Sequence, residues 1–503
     1  YSFEWYKTPD LTGFQLLITD EDNGLDFINR YIKDIIIQVN DKNEVLGVYT
    51  YNNEDRLWSR QSKGKDYHGL DVFIYGKLIN EINTDYKGKC AAYSKYKKLD
   101  LENSDEDTGE KQEEYEGLLE TIQFSLKRLT SHSCLTGIRS WIRNKIMSNT
   151  SLRKNVQLNL EPSTRHLFQF RNGAFNLKTG QLEERTKDMY ITVTLNYDYD
   201  DARDEDRISA IDMQLKQCLP DDEMREGHKC WRGYCLTGEV TEQLYVLNVG
   251  VSAGNGKTTQ SHHFEKAFPI YCSQIGNDAF DKKNAKSYNK VFSSLADRPI
   301  RMIYMEEWGG QQQDPELIKK TINGDTLTVQ PLYQEELTLN VQYKLEASAN
   351  VDPKIGNDEG NNRRGRKFNY TSKFVDLPSK VNEQEHKYLK DKTVMNLMEE
   401  PKNCLALFHL FAPYAKKYYD DKKLTLPEQC QTQFVEAMEE NDEWAEFFED
   451  NIGVDNDKCA SKKHVMLEVE SCSMSVNWVD VKREFKKRGY MYESQKRNKG
   501  DKG

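Results

Sequence analysis

Apolar residues recur at helical spacing in several segments of the chain. Segments 27–37, 138–146 and 394–419 follow this spacing, which predicts a helix in each of them. Segment 138–146 places its apolar residues on one face and its basic residues elsewhere. That basic surface has two interpretations, a nucleic-acid contact or an ordinary solvated helix face. A further amphipathic helix, with an acidic surface, is predicted from about residue 435.

Short apolar runs between turn residues predict strands elsewhere. The pattern over residues 48–58 predicts a β-hairpin. Residues 168–182 carry two turn signals, Asn-Gly and Thr-Gly, between short apolar runs, which predicts a small β-structure. Strand and helix signals alternate from about residue 236 to residue 376, as expected for an α/β core with a parallel sheet. Segment 98–117 is acidic and polar, which predicts a loop or a disordered insertion.

These patterns predict an α/β protein of four regions. A mixed α/β and helical N-terminal domain occupies residues 1–160, a connecting region occupies 161–235, and the α/β core covers 236–400. A helical segment and a winged-helix module are predicted in 401–503, where an apolar run precedes a short basic helix; a solvated basic tail is the alternative. The chain starts at Tyr1 without an initiator methionine, so we expect a fragment of a longer protein.

Composition limits the class of protein. The chain has 503 residues, of which 30% are charged and 37% hydrophobic, and it lacks an apolar run long enough to cross a bilayer. We therefore expect no contact with a membrane. The net charge of −11 argues against non-specific coating of nucleic acid, although it is compatible with a local basic channel. Ten cysteines without a paired framework are typical of reduced thiols inside a cell.

Residues 246–259 carry the most specific chemical signal. Four β-forming residues lead into a short glycine-containing loop, and Gly-Lys-Thr then opens a helix-like run. This order is the setting of a phosphate-binding loop, whose backbone N–H groups face phosphate oxygens. Lys257 would reach the β- and γ-phosphates, and Thr258 would ligate Mg²⁺. The candidate nucleotide-binding residues are Gly250, Gly254, Asn255, Gly256, Lys257, Thr258 and Thr259.

The loop departs from the common phosphate-loop pattern at one position. Val251 stands where that pattern has glycine, and the glycines are at Gly250 and Gly254 instead. The alternative interpretation is therefore a surface turn with a solvated lysine. Acidic and amide side chains elsewhere in the predicted core favour the phosphate loop.

A phosphate loop needs an acidic partner that orients Mg²⁺ and activates water. Residues 302–305 are apolar and lead directly to Glu306 and Glu307. Ligand sites of open parallel sheets lie at the carboxyl ends of the strands, so we assign Glu306 to Mg²⁺ and Glu307 to the water-activating base, or the reverse. Asn350 ends another strand-like run. Its amide is a candidate for hydrogen bonding to the γ-phosphate or the lytic water, with a simple strand cap as the alternative.

Arg363 and Arg364 follow a loop rich in Asp and Gly. A guanidinium placed across a subunit boundary would stabilise the charge on the γ-phosphate of the neighbouring subunit. The alternative interpretation of this pair is a basic surface loop.

In this order, the motifs resemble those of the superfamily 3 helicases, and more closely the primase-helicase NTPases of poxviruses and other large DNA viruses. The phosphate loop of that family ends in Asn-Gly-Lys-Ser/Thr, which residues 255–258 match. Lys320 and the Gly-Asp pair after it match the segment before a hairpin that enters the central pore of a ring. Segments 172–173 and 197–199 look like the domain that precedes the helicase in this family.

The resemblance implies a P-loop ATPase core and a role for each candidate residue. Asn350 matches the strand that senses the γ-phosphate, and the two arginines match the arginine-finger region. The candidate catalytic residues are Lys257, Glu306, Glu307, Asn350, Arg363 and Arg364. The pore hairpin lacks the arginine that the family often has before its Leu-Tyr pair. The candidate DNA contacts are therefore Lys319, Lys320, Tyr333 and Lys344.

The resemblance also implies partners and a setting. It predicts an ATP- and Mg²⁺-dependent DNA helicase of viral or plasmid-like genome replication, acting as a homo-hexamer on single-stranded or forked DNA. A primase region before Tyr1 and viral replication factors are the expected partners, in a replication compartment of the host cytoplasm or nucleus. Two alternatives remain, an ATPase that remodels nucleoprotein or packages DNA without unwinding it, and a non-catalytic scaffold. Host, direction of movement and the choice between DNA and RNA stay open.

Overall fold

The computed structural model describes most of the chain. It describes residues 16–17, 19–63, 66–102, 108–250, 254–281, 285–296, 298–308, 313–323, 326–329, 337–355, 358–441, 443–452, 460–472 and 478–490. These residues fall into two compact units, one within 1–164 and 183–194, the other within 165–182 and 195–503. The predicted division of residues 161–503 into three regions stays a prediction.

The described residues of the N-terminal unit form five α-helices and a four-stranded sheet. Its elements are α1 (Asp20–Tyr31), β1 (Ile35–Val39), β2 (Val45–Asn52), β3 (Leu57–Lys63), α2 (His68–Lys77), α3 (Asn83–Glu102), α4 (Thr108–Arg128), α5 (His132–Ser148) and β4 (Arg153–Lys154). The strand order is β3-β2-β1-β4, with β1 antiparallel to β2 and parallel to β4. The predicted hairpin over 48–58 is confirmed, since β2 pairs with β3.

Two sequence predictions in this unit are wrong. The helix predicted over 27–37 ends at Tyr31, and the isoleucines that follow form β1, whose five residues are all buried. Three consecutive β-branched residues favour an extended backbone on a packed sheet. The loop predicted over 98–117 is largely helical, in α3 and α4; residues 103–107 lie outside the described part. Its glutamates and lysines are good helix formers, and apolar residues further along α4 pack on the core.

The C-terminal unit holds the predicted α/β core. Its elements are β5 (Leu167–Phe170), β6 (Gly173–Asn176), β7 (Gln181–Glu183), α6 (Glu205–Cys218), α7 (Asp222–Leu236), β8 (Tyr245–Val249), α8 (Lys257–Ala267), β9 (Cys272–Gln274), α9 (Ala285–Ser293), β10 (Met302–Met305), α10 (Pro315–Ile322), β11 (Thr326–Val329), β12 (Leu337–Asn340), β13 (Lys344–Ala349), α11 (Glu359–Arg364), β14 (Gly365–Asn369), β15 (Lys373–Val375), β16 (Lys387–Leu389), α12 (Pro401–Asp421), α13 (Glu428–Glu440), α14 (Glu443–Asn451), α15 (Lys462–Ser471) and α16 (Trp478–Lys487). Strand β7 ends where the chain passes to the other unit.

A parallel sheet of five strands organises this unit. The strand order is β14-β8-β13-β10-β9, and each neighbouring pair is parallel. Apolar packing covers both faces, because Val246 lies in one hydrophobic cluster while Tyr245 and Leu247 lie in another. The structure therefore confirms the predicted α/β class and its parallel sheet.

The last part of the chain is helical wherever it is described. A 3-10 helix (Lys392–Glu399) and α12 cover the predicted helical segment 394–419, which is confirmed. Helices α14, α15 and α16 share a small apolar cluster that contains Phe447, Val469 and Val481. The winged-helix module stays a prediction. No helix among the described residues is long and apolar enough to span a membrane.

Candidate nucleotide-binding site

The candidate phosphate loop connects the end of β8 to the start of α8. Gly254 and Gly256 have φ angles of 78° and 87°, a left-handed backbone that glycine adopts without strain. Gly250 is required for a different reason, since a Cβ there would lie 1.8 Å from Nδ2 of Asn255. Residues 251–253, which include Val251, lie outside the described part. Each of the three predicted glycines therefore has its own structural reason.

A cavity of about 200 Å³ opens at the N-terminal end of α8. The first backbone N–H groups of a helix have no partner within the helix and carry partial positive charge, which favours anions. Side chains from three separate strand ends meet here, as parallel strands allow. The cavity is lined by Gly254, Asn255, Gly256, Lys257, Thr258, Thr259, Glu307 and Asn350.

Lys257 lies inside this cavity with 7% of its surface exposed. Its Nζ donates hydrogen bonds to Oδ1 of Asn350 at 2.7 Å and to Oδ1 of Asn255 at 3.2 Å. Burial lowers the pKa of the Lys257 ammonium, and the nearby Glu307 carboxylate opposes that shift. Both hydrogen-bond acceptors are neutral amides, so the positive charge stays available to an anionic ligand.

The backbone after β10 directs one carboxylate into the cavity. Glu307 has a φ of 53°, which is uncommon for a residue with a side chain and is typical of functional sites. The next residue fixes this conformation, because the backbone N–H of Trp308 donates to the carbonyl of Ser348 at 2.8 Å. Asn277 Nδ2 also donates to the Glu307 carbonyl, at 3.4 Å.

Glu306 points to a different partner. Its Oε1 lies 2.6 Å from Nε2 of His262, on α8, and Glu306 is not among the described residues that line the cavity. The sequence left open which of the two glutamates faces the reacting atoms. In the structure Glu307 lines the cavity, and Glu306 lies beside the helix.

Arg363 and Arg364 lie on α11, near the amino ends of the strands, whereas the cavity lies at their carboxyl ends. The residue after them, Gly365, pairs with Tyr245 at the start of β8, whereas the phosphate loop follows Val249 at its end. The length of β8 therefore separates them, roughly 13 Å for five residues. Arg363 is exposed, and its Nη2 donates to Gln243 at 3.3 Å. The structure does not bring the two arginines to the cavity of their own chain.

The candidate DNA contacts are dispersed. Lys319 forms ion pairs with Asp358 at 2.9 Å and Glu316 at 3.2 Å. Lys320 is exposed on α10. Tyr333 lies outside the described residues.

Lys344 corrects one of these predictions. It is 2% exposed, its Nζ donates to the carbonyl of Thr237, and it lies 4.8 Å from the centre of the Tyr234 ring. A lysine in this position has no surface to offer DNA, so the DNA contact predicted for Lys344 is wrong. Burial lowers the pKa of Lys344 to about 7.

Sequence reasoning missed a buried ion pair behind the site. Arg232 Nη2 on α7 lies 2.6 Å from Glu346 Oε1 on β13, and neither side chain is more than 1% exposed. Glu346 also accepts hydrogen bonds from Trp231, Asn248 and Ser261 at 2.9–3.0 Å. The network joins β8, α8 and β13, the elements that carry the loop and Asn350. A glutamate between Leu345 and Ala347 in a strand-like run was the available signal.

The donor set fits a nucleoside triphosphate with Mg²⁺. The glycines bring backbone close to the cavity, and the start of α8 and Lys257 supply positive charge. Thr258 adds a hydroxyl oxygen, which can be a ligand of Mg²⁺, and Glu307 adds a carboxylate that can accept a proton from water.

Comparisons with known proteins agree with the sequence motifs. Residues 55–221 match the protein family described as "D5 N terminal like". The "Putative helicase" of Acanthamoeba polyphaga mimivirus is 25% identical to this chain over 252 residues. The chain resembles the primase-helicases of large DNA viruses. The resemblance to these viral primase-helicases is thereby confirmed, and the family match includes segments 172–173 and 197–199.

The similarity to the mimivirus protein covers only part of each chain. It takes in 48% of this chain and 26% of the relative, so the chain spans about a quarter of the length of that relative. Among solved structures, the apo form of the NrS-1 C terminal region has a TM-score of 0.37 at 13% identity, over 70% of this chain and 85% of that one. A second apo structure of that region has a TM-score of 0.35 at 14% identity, over 70% and 84%. The viral resemblance therefore rests on the sequence matches and the motifs.

Proposed function

We propose that this chain is the ATP-hydrolysing core of a replicative DNA helicase of the superfamily 3 type. One observation carries the proposal, the meeting of Lys257, Thr258, Glu307 and Asn350 around a single cavity at the start of α8. These side chains come from the ends of β8, β10 and β13, three neighbours in one parallel sheet. The resemblance to viral primase-helicases supplies the class of reaction.

Each residue has a task that its position supports. The start of α8 and Lys257 bind the phosphates, and Lys257 exchanges its amide partners for phosphate oxygens. Glu307 orients a water molecule and accepts its proton, and the freed amide of Asn350 donates to the γ-phosphate. Thr258 and, once released from His262, Glu306 would hold Mg²⁺, which neutralises charge on the β- and γ-phosphate oxygens.

The position of α11 supports a ring. Arg363 and Arg364 lie near the amino ends of the strands, away from their own cavity at the carboxyl ends. A role in hydrolysis therefore requires them to act on a neighbouring subunit. A homo-hexamer with nucleotides between subunits meets this requirement. An arginine supplied in this way accelerates phosphoryl transfer by about a thousandfold or more.

The hairpin of β11 and β12 is the proposed DNA-moving element. It follows α10, and its strands pair from Thr326 with Asn340 to Val329 with Leu337. Lys320, exposed at the end of α10, would contact the phosphate backbone of single-stranded or forked DNA, which makes binding sensitive to salt. A primase region and other viral replication factors are the partners that this role implies, in the replication compartment of the host cell.

Strand displacement on a forked DNA duplex with ATP and Mg²⁺ tests the proposal, with Lys257→Ala as the matched variant. Displacement by the wild type alone is the expected result. ATP turnover without displacement on any forked substrate would overturn unwinding in favour of a remodelling or packaging ATPase. Failure of the wild type to bind ATP would overturn the catalytic proposal and favour a scaffold.

A further inference from the structure

The segment after β14 returns to the phosphate loop. The backbone N–H of Phe374 donates to the carbonyl of Gly254 at 2.7 Å. A Cβ on Gly256 would lie 3.2 Å from Cε2 of the Phe374 ring. An aromatic side chain therefore lies directly against the loop, although nothing in the phosphate-binding chemistry calls for one.

A second aromatic ring accompanies Phe374. Strands β15 and β16 are parallel and place Phe374 in register with Tyr388. The ring centroids are 6.0 Å apart with an interplanar angle of 40°. Both side chains are half-buried, so the pair keeps surface that a ligand can contact. Aromatic side chains offer faces on which a flat base can stack.

An apolar side chain approaches the loop from another segment. Thr259 lines the cavity. Its Oγ1 lies 3.7 Å from Sδ of Met395, and Met395 is 38% exposed. The backbone carbonyls of Val394 and Met395 accept hydrogen bonds from His263 at 2.7 Å and Lys266 at 2.8 Å on α8. This segment is therefore fixed along the helix. A thioether at such a place makes good contacts with aromatic ligands.

The cavity lining connects these side chains to the proposed phosphate site. Asn350, with Lys257 bonded to it, lines the cavity together with Glu307, where the proposed function places the γ-phosphate. Gly254, Gly256 and Thr259 line the same cavity. Phe374 contacts the two glycines, and Met395 contacts Thr259. A base that leaves the cavity along these residues would meet the aromatic pair and the thioether.

We propose that Phe374, Tyr388 and Met395 form the binding site for the nucleobase of the bound nucleoside triphosphate. The base stacks on the aromatic pair and contacts the thioether. Stacking is tolerant of base identity because every base has a π-face, and the larger purine ring gains more contact than a pyrimidine. The site therefore prefers purine nucleotides. This inference rests on the nucleotide site proposed above.

Calorimetric titration with ATP, CTP and inorganic tripolyphosphate tests this site in wild type, Phe374→Ala, Tyr388→Ala and Met395→Ala. Phe124→Ala, which truncates an exposed aromatic ring of the N-terminal unit, is the control. We expect ATP to bind wild type more tightly than CTP or tripolyphosphate. Phe374→Ala and Tyr388→Ala should lose roughly tenfold or more in ATP affinity and keep the tripolyphosphate affinity of the control.

Three outcomes would overturn the inference, and each points to a different cause. Wild-type ATP affinity in both aromatic variants would exclude a base contact. Equal loss of ATP and tripolyphosphate in Phe374→Ala, with wild-type ATP affinity in Tyr388→Ala, would mean that Phe374 supports the loop instead. Failure of the wild type to bind tripolyphosphate or ATP would remove the proposed function itself. Binding of tripolyphosphate and ATP by the wild type separates the first two cases from the last.

Discussion

Lys257 Nζ donates to Asn350 Oδ1 at 2.7 Å, and this bond joins the loop after β8 to the end of β13. The two strands are neighbours, with Val249 in register with Ala349. The lysine is therefore hydrogen-bonded to an amide next to the proposed position of the γ-phosphate. Binding of a triphosphate must break the bond and leave both groups free to contact it.

Asn350 variants separate the two roles of this amide. We expect Asn350→Ala to keep ATP binding and to lower kcat about a hundredfold, the usual loss for one preorganised donor. Asn350→Asp should instead weaken ATP binding, because a carboxylate would hold Lys257 and repel phosphate. Steady-state kinetics and direct titration of ATP measure both effects. Wild-type kcat in Asn350→Ala would exclude a contact with the reacting phosphate.

Substitution of the two glutamates should have unequal effects. Glu307 lines the cavity and Glu306 contacts His262. We expect Glu307→Gln to bind ATP and to lose turnover, since an amide cannot accept the proton of water. Glu306→Gln should chiefly raise the Mg²⁺ concentration needed for half-maximal turnover. Normal turnover in Glu307→Gln would remove Glu307 as the base.

Assemblies mixed from two inactive variants test whether the arginines of α11 act on a neighbouring subunit. Arg364→Ala should keep ATP binding and assembly and lose about a thousandfold in turnover, and Arg363→Ala shows which arginine is the finger. In mixtures of Arg364→Ala with Lys257→Ala subunits, an intact loop meets an intact arginine at some interfaces. Turnover should therefore reappear in the mixture. Mixtures as inactive as each variant alone would contradict action between subunits.

Lys344 makes stability depend on pH. Its pKa in the folded state is lowered to about 7 by burial, whereas an unfolded lysine titrates near 10.4. Between these values the unfolded chain binds more protons, so the free energy of unfolding rises with pH, by at most about 1.4 kcal/mol per pH unit. Chemical denaturation at pH 7, 8 and 9 measures this slope. Lys344→Met should show a smaller slope, and an unchanged slope would contradict the assignment.

The buried pair of Arg232 and Glu346 should be sensitive to removal of one partner. Glu346→Ala leaves a guanidinium that is 1% exposed without its carboxylate, and we expect a loss of about 3–5 kcal/mol in the free energy of unfolding. The double variant Arg232→Met with Glu346→Leu should lose much less. Denaturant titration of Glu346→Ala, of the single variants Arg232→Met and Glu346→Leu, and of the double variant that combines the last two checks this. Additive losses would show that the two side chains do not interact.

Local sequence was sufficient for the elements that surround the site. Short apolar runs predicted the strands before Glu306 and Asn350, and glycines predicted the turn of the loop. These signals are local, because hydrophobic patterns and the backbone freedom of glycine are properties of short segments. The core strands and the start of α8 were predicted on this basis. The helix predicted across β1 was wrong because apolar spacing alone does not distinguish a helix from a buried strand, whereas the β-branched isoleucines and their packing favour the strand.

Side-chain direction and burial were decided by contacts between distant segments. The sequence could not tell which glutamate faces the cavity, because the φ of Glu307 is fixed by the bond from Trp308 to Ser348 on another strand. It could not place Lys344 in the interior, since the carbonyl and the ring that receive it come from the region around Thr237 and Tyr234. The sequence alone predicted the candidate chemistry of this protein, a phosphate loop with acidic and amide partners. Only the tertiary structure decided which of those groups meet, because strand order and register set the distances between residues that the chain itself keeps far apart.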